Sequence, residues 1–161
     1  MHQPPMTYPS SPSPMQVALA EAAAAAARGE VPVGAVIVSA DGRIIAKAGN
    51  RTRELSDPTA HAEMLVIRDA CRQFASERLT APTGTFDLYV TLEPCPMCAA
   101  AISFARLRRL YYAASDPKSG GVDHGPRLFT QPTCHHAPDV YAGIEETAAR
   151  ALLQKFFAER R

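Results

Sequence analysis

The chain has 161 residues, of which 47% are apolar and 20% are charged, and its formal net charge is +1. A chain of this length and balance is expected to fold as one domain with a sizeable core, and its charge alone neither indicates nor excludes a polyanionic partner. The longest apolar runs, residues 22–27 and 31–38, are far shorter than the roughly 20 residues that a membrane-spanning helix needs.

The N-terminal segment differs in composition from the rest of the chain. Residues 1–14 hold five of the 14 prolines, with Ser and Gln between them. Such a segment has too few apolar side chains to form a core. We therefore predict a disordered Pro/Ser-rich tail over residues 1–14 and a folded domain over residues 15–161.

The spacing of apolar residues, together with Gly and Pro, predicts nine regular elements in this domain. Thr59 is expected to cap the second helix, and Pro96 suits the first turn of the third. A long Gly- and Pro-containing stretch, residues 115–138, is predicted to be largely irregular. In chain order, we predict a helix over 15–28, strands over 34–38 and 43–48, a helix over 60–74, a strand over 86–92, a helix over 96–104, strands over 109–113 and 139–142, and a helix over 145–158. This order predicts an α/β fold in which a mixed sheet carries helices on both faces.

Two short motifs carry potential metal ligands at predicted helix starts. The first is His61-Ala62-Glu63, and the second is Pro94-Cys95-Pro96-Met97-Cys98. Cysteines three positions apart at a helix start lie on one side, so both sulfurs can reach one ion. Zinc takes His nitrogen and Cys sulfur, and a catalytic zinc site keeps a fourth position for water. We predict one Zn²⁺ bound by His61, Cys95 and Cys98. With four cysteines in all, two of them in this C-x-x-C, the chain favours a reduced cytoplasmic setting over a disulfide framework.

Glu63 distinguishes this pattern from a purely structural metal site. Two positions beyond His61 on a helix, it cannot share the direction of the ligand, but it can stand beside a water molecule and carry its proton. Zinc lowers the pKa of such a water to about 7. We predict attack of water on an amidine carbon of an aromatic ring, a tetrahedral intermediate and loss of ammonia, with Glu63 as the proton carrier.

A competing interpretation is that the metal is structural, which would require a fourth protein ligand. Cys134, His135 and His136 could supply one or form a second site. Adjacent residues of this kind rarely converge on one ion, so we expect neither, although the sequence leaves their role open.

The pattern H-x-E followed by P-C-x-x-C is a signature of zinc-dependent nucleobase deaminases. The chain resembles the bacterial tRNA adenosine deaminases in particular, over roughly residues 16–160. The resemblance is carried by residues 30–38, Asn50-Arg51, residues 57–63, residues 88–99, residues 114–121 and Phe156-Phe157 with the terminal arginines. Ser115 departs from it, because members of this family can carry Arg before the Asp of that loop.

The resemblance implies a cytidine-deaminase-like three-layer α/β/α fold with a five-stranded mixed sheet, a homodimer, and conversion of the wobble adenosine of a tRNA anticodon to inosine. It also implies substrate contacts. Asn50 would hydrogen-bond the flipped nucleotide, Val33 would pack on the base, and the backbone of Ala62, Leu92 and Glu93 would line the zinc side. Asp116 and Lys118 would touch flanking RNA, and the basic end of the last helix would meet phosphates through Lys155, Arg160 and Arg161.

For several of these residues, local structure offers another explanation. Asn50 can cap its own loop, and Asp116 and Lys118 can belong to a simple turn. Two alternative functions also remain. The zinc motif serves equally a deaminase of a free base or nucleoside, such as guanine, cytosine or adenosine. A zinc-stabilised binding module without activity is the other alternative, although it would have no use for Glu63.

Overall fold

The fold is built on one five-stranded mixed sheet. The computed structural model describes residues 10–161. The strands lie in the order β2-β1-β3-β4-β5, with β1 antiparallel to both β2 and β3, and with β3, β4 and β5 parallel. The strands are β1 (Gly34–Ser39), β2 (Ile44–Gly49), β3 (Phe86–Leu92), β4 (Arg109–Ala114) and β5 (Asp139–Ala142). The predicted mixed sheet is confirmed, with all five strands in place.

Helices cover both faces of this sheet and complete the predicted three layers. They are α1 (Pro14–Ala27), α2 (Ala62–Phe74), α3 (Pro96–Ala105) and α4 (Glu146–Ala158). One buried cluster joins α2 and α3 to the sheet, and a second joins α1 and α4 to its other face. No helix among the described residues is long and apolar enough to cross a membrane.

The helix boundaries differ from the predicted ones at three starts, and of these α4 begins at Glu146, one residue late. Helix α1 begins at Pro14, one residue early, because Ser13 and Gln16 form a reciprocal capping box. The predicted tail thus overlaps the helix at Pro14, and residues 1–9 of it lie outside the described residues. The prediction that Thr59 caps α2 is wrong. Its N–H and hydroxyl both bind Asp57, and His61 occupies the N-cap position instead.

The parallel strands β3 and β4 bring two functional segments to one edge of the sheet. Leu92 pairs with Ala114 at the last register position of the two strands. The segment that bears Cys95 follows β3, and the long stretch 115–138 follows β4. As predicted, that stretch is mostly irregular, and its helical part is the short 3-10 turn Leu128–Thr130.

Candidate active site

Three potential ligand atoms converge at the starts of α2 and α3. His61 Nδ1 lies 3.4 Å from Cys98 Sγ and 3.6 Å from Cys95 Sγ. Tetrahedral zinc with ordinary Zn–N and Zn–S bonds would place nitrogen and sulfur ligands about 3.5 Å apart. The two measured distances match this spacing. One imidazole and two sulfurs are also the ligand types that zinc prefers, so the residues fit the ion.

Each of the two helices places one ligand at its N-cap position. His61 is the N-cap of α2 and Cys95 is the N-cap of α3, and neither side chain makes the usual capping hydrogen bond. Cys98 lies in the first turn of α3 and is fully buried. The side chains that would otherwise cap the helices are therefore turned to the shared site. The N-terminal ends of the helix dipoles favour the thiolate form of the sulfurs there.

The pKa values of the two thiols, without metal, are shifted in opposite directions. A hydrogen bond from the Cys98 thiol holds the pKa of Cys95 down to about 4, with a further contribution from His61. The same hydrogen bond, together with burial, raises the pKa of Cys98. The hydrogen bond with Cys95 also raises the pKa of His61. Because zinc binds the thiolate, loading the site would release the proton of any thiol that is still protonated.

Glu63 lies beside these ligands in the first turn of α2. Its side chain is buried, with 3% of the residue exposed. Burial raises the pKa of its carboxyl group, since a low-dielectric surrounding disfavours the charged form. A carboxyl group whose pKa is raised in this way is suited to take up and give back a proton.

An open pocket of about 250 Å³ lies over the ligand cluster. Its floor includes His61, Glu63 and Cys95, and its walls come from three loops and strand ends. The remaining lining residues are Val31, Val33, Asn50, Thr52, Leu92, Glu93, Asp116 and Ser119. Walls that combine apolar and polar residues in this way suit a partly polar ligand.

Most of the predicted substrate residues meet in this pocket, but two do not line it. Val33, Asn50, Leu92, Glu93 and Asp116 are all among its lining residues. By contrast, Ala62 is fully buried beneath it and Lys118 is exposed outside it.

The backbone N–H of Ala62 has a protein partner. It donates a 2.8 Å hydrogen bond to Asn50 Oδ1. This N–H group therefore binds another residue of the protein and does not point into the pocket as a free donor. The N–H of Glu93 is likewise engaged, since it donates to the carbonyl of Ala114 at 2.8 Å. Backbone at these two positions therefore supports the site from behind.

Asp116 makes the local turn that the sequence offered as the alternative to an RNA contact. Its Oδ1 accepts from the N–H groups of Lys118 and Ser119, at 3.2 and 3.0 Å. The side chain thus shapes the loop while the residue lines the pocket. The Lys118 side chain extends from the outside of the same turn.

Sequence reasoning missed Glu30, and it assigned Glu93 a role through its backbone but not through its side chain, although both buried carboxylates hold the pocket walls. Glu30 accepts hydrogen bonds from the Thr52 hydroxyl and from the N–H groups of Arg53 and Glu54. The Glu93 side chain binds the loop after β4 in a similar way. A glutamate in a run of apolar residues was the available signal, because such a residue must find partners when it is buried.

The second His/Cys cluster is used differently. The Cys134 sulfur lies 3.5 Å from the Ser103 hydroxyl, and His136 Nε2 lies 2.7 Å from the carbonyl oxygen of Leu107. Within residues 10–161, the group of His, Cys, Asp and Glu side chains that could hold one ion is His61, Cys95 and Cys98. Cys134 and His136 instead tie the irregular stretch to α3 and its end.

Comparison with known proteins places this geometry in a family. Residues 11–114 match the family described as the cytidine and deoxycytidylate deaminase zinc-binding region. The chain is 62% identical over 147 residues to a tRNA-specific adenosine deaminase of Agrobacterium fabrum, covering 91% of this chain and 93% of that protein. The chain belongs to the family of tRNA-specific adenosine deaminases. A relative of that name from Aquifex aeolicus is 45% identical, with 91% of this chain and 93% of that protein covered.

Two solved structures have the same fold as this member of the tRNA-specific adenosine deaminase family. One comes from studies of A-to-I editing by tRNA:A34 deaminases at the wobble position of transfer RNA. It has a TM-score of 0.82 and 62% identity, and the match covers 87% of this chain and 98% of that one. A guanine deaminase from Bacillus subtilis has a TM-score of 0.61 and 32% identity, with 91% of each chain covered.

Proposed function

We propose that the chain is a zinc-dependent hydrolase that converts the wobble adenosine of a tRNA anticodon to inosine. The observation that carries the proposal is the buried Glu63 beside a three-ligand His/Cys/Cys cluster at the floor of an open pocket. The relatives named tRNA-specific adenosine deaminases support the choice of substrate.

His61, Cys95 and Cys98 would hold one zinc ion. When bound, zinc would lower the pKa of a water molecule to about 7, as in other catalytic zinc sites. The two sulfurs, once deprotonated, would offset the charge of the ion, while the neutral imidazole adds none. Three protein ligands leave room for water, as in other catalytic zinc sites.

Glu63 performs the proton transfers of the reaction. Its carboxylate takes a proton from the attacking water and delivers it to N1 of the adenine ring as oxygen bonds to C6. The resulting tetrahedral carbon then loses its amino group, and Glu63 passes the second proton of the water to the departing amine. Water and adenosine thereby give inosine and ammonia, and Glu63 returns to its starting state.

The pocket walls orient the base for this attack. Val33 and Leu92 provide apolar surface. Asn50 uses its oxygen to hold Ala62, so its amide NH₂ is the group that can donate to the nucleotide. Asn50 thus serves both the protein and the substrate. Water is displaced from the apolar walls when the base enters, which strengthens the polar contacts that remain.

An RNA loop suits the open pocket. A base in an anticodon loop is already partly unstacked, so moving it into a pocket costs little. The C-terminal part of the chain carries nine basic and six acidic residues over 101–161. At the end of α4, Lys155, Arg160 and Arg161 provide cations that can meet phosphates, and Arg160 stacks on the Phe156 ring at 3.5 Å.

Deamination of a free base is the second candidate function. The observation that favours it is the 32% identity to a guanine deaminase of the same fold. A substrate panel separates the two: anticodon hairpins, free adenosine, guanine and cytosine are each incubated with the zinc-loaded protein, and ammonia and inosine are measured. We expect conversion of the hairpin adenosine. Conversion of guanine with an untouched hairpin would replace the proposed function.

We also propose that the chain acts as a homodimer in the cytoplasm. The Phe104 side chain on α3 is 74% exposed and borders an apolar groove with Ala100 and Leu128. Such a ring is costly to leave in water, and a second copy would cover it. All four cysteines are free, which agrees with a reducing compartment where tRNA is found.

A further inference from the structure

The Glu93 carboxylate binds the loop that follows β4, here called the rim loop (residues 115–125). Its side chain is fully buried. Oε1 accepts from the N–H of Asp116 at 3.0 Å, and Oε2 accepts from those of Val122, Asp123 and His124 at 3.1 to 3.2 Å. The His124 ring adds a fifth contact, with Nδ1 at 2.7 Å from Oε1. One carboxylate therefore holds both ends of the rim loop.

Four backbone N–H groups of the rim loop, those of Asp116, Val122, Asp123 and His124, have this carboxylate as their partner. The loop has no helix or strand of its own, so its N–H groups lack a regular ladder. A charged acceptor makes stronger hydrogen bonds than a neutral one. Five polar contacts from the loop converge on this one buried side chain.

Two glycines let the loop lie directly on the segment that bears Cys95. A Cβ at Gly120 would collide with Glu93 Oε2, and a Cβ at Gly121 would lie 2.6 Å from the backbone nitrogen of Pro96. The Gly121 N–H also donates to the carbonyl of Pro94 at 2.8 Å. The rim loop is therefore fixed to the protein at the edge of the metal site.

The residues so fixed face the pocket and the surface around it. Asp116 and Ser119 line the pocket, and Lys118 stands exposed between them. Both Glu93 oxygens are occupied by loop donors, so this carboxylate is not free to carry a proton in the reaction. The Glu93 carboxylate instead supports the rim loop.

We propose that the Glu93 side chain is a positioning residue that fixes the rim loop, and that it governs RNA binding rather than the deamination step. This inference rests on the proposed function, because it takes the RNA as the substrate of the same pocket. Both glutamates line the pocket, but the Glu93 carboxylate binds the rim loop whereas Glu63 lies beside the ligands.

The test compares Glu93→Gln with Asp87→Asn in the zinc-loaded protein, using an anticodon hairpin as substrate. Glutamine keeps the size of Glu93 but turns an NH₂ group toward N–H donors. We expect KM for the hairpin to rise about tenfold, with kcat within about threefold of wild type and zinc still bound. Asp87 is a buried carboxylate at the other end of β3, paired with Arg108. Asp87→Asn therefore shows the effect of removing a buried charge away from the rim loop. We expect KM for the hairpin to be unchanged in this variant.

A second variant perturbs the rim loop while leaving the carboxylate in place. Gly120→Ala must displace the loop from Glu93, and we expect the same rise in KM with kcat retained. Amide hydrogen exchange supplies a readout that does not depend on activity. In Glu93→Gln, exchange at Val122, Asp123 and His124 should become faster than in wild type, whereas Asp87→Asn should leave it unchanged.

The outcomes separate this inference from the proposed function. A wild-type protein that leaves the hairpin untouched refutes the proposed RNA substrate and, with it, this inference, even if the exchange data show that Glu93 holds the loop. An active wild type with an unchanged KM in both Glu93→Gln and Gly120→Ala overturns the positioning role alone. A loss of kcat with unchanged KM in Glu93→Gln would also overturn it, because the carboxylate would then act in the chemical step.

Discussion

Asn50 Oδ1 accepts a hydrogen bond from the backbone N–H of Ala62 at 2.8 Å, across the start of α2. The N-cap of that helix, His61, makes no capping bond with its own side chain. Asn50 therefore satisfies one of the first N–H groups of α2, which have no partner within the helix, while the His61 ring faces the sulfurs. The His61 side chain can thus point to the metal site, while Asn50, which lies outside α2, binds an N–H group at the start of this helix.

This relationship predicts that two functions of Asn50 can be separated by substitution. Asn50→Ala loses the acceptor for Ala62, and we expect a loss of about 1 kcal/mol in unfolding free energy, as for other helix caps. Asn50→Asp keeps an acceptor oxygen but loses the NH₂ donor, so we expect near wild-type stability with weaker substrate binding. Thermal unfolding and KM measurements check both. Equal stability in the Ala variant would contradict the capping role.

Glu63→Ala should retain fold and metal but lose turnover. The variant removes a buried carboxyl group whose charged form is penalised by burial, so its stability should not fall. We expect a decrease in kcat of about 100-fold or more, the typical range for a proton-transferring residue. Inosine formation and zinc content are measured on the same sample. Activity comparable to wild type would refute the assigned role.

Cys98→Ser should lose zinc and much of the stability of the protein. The sulfur is buried within 3.4 Å of His61 Nδ1, and part of the folding free energy of such a site comes from metal binding. Cys71→Ser is the matched control, because Cys71 lies on α2 outside the ligand cluster. Zinc content and melting temperature, each with and without a chelator, provide the test. Stoichiometric zinc in Cys98→Ser would contradict the proposed ligands.

Lys118 is expected to contact RNA phosphate without touching the reacting base. Its side chain is exposed on the outside of the turn that Asp116 makes. In Lys118→Ala, hairpin affinity should fall, and the slope of log affinity against log salt should decrease by about 1. Lys47→Ala removes an exposed lysine from β2, where it pairs with Glu21, and should leave the slope unchanged. A slope that does not change in Lys118→Ala counts against a phosphate contact.

Phe104→Glu should convert the proposed dimer to a monomer. If a second copy covers this exposed position, a glutamate there would be buried in the interface without a charged partner, which is unfavourable. Light scattering at several protein concentrations gives the mass of each form. Phe157, also exposed but on α4, provides the control Phe157→Glu, which should remain dimeric. A monomeric wild type would refute the proposed dimer itself.

The elements of the fold and the candidate ligands were accessible from sequence because their signals are local. The strands Phe86–Leu92 and Asp139–Ala142 have the predicted bounds, since turn residues and apolar runs mark where such strands begin and end. Likewise, His61 and Cys95 could be placed at helix starts because Pro, the C-x-x-C spacing and the helical periodicity lie within a few neighbouring positions. The Thr59 cap failed because Asp57 competes for the same side chain.

What the chain encodes locally is the set of ligands, the proton-carrying glutamate and the alternation of helices and strands. Tertiary structure alone decided that Asn50 supports Ala62, 12 positions away, and that Glu93 holds His124, 31 positions away. The physical reason is that a buried polar group takes whichever partner the packing of distant elements brings within reach. Periodicity describes one element at a time and contains no information about that choice.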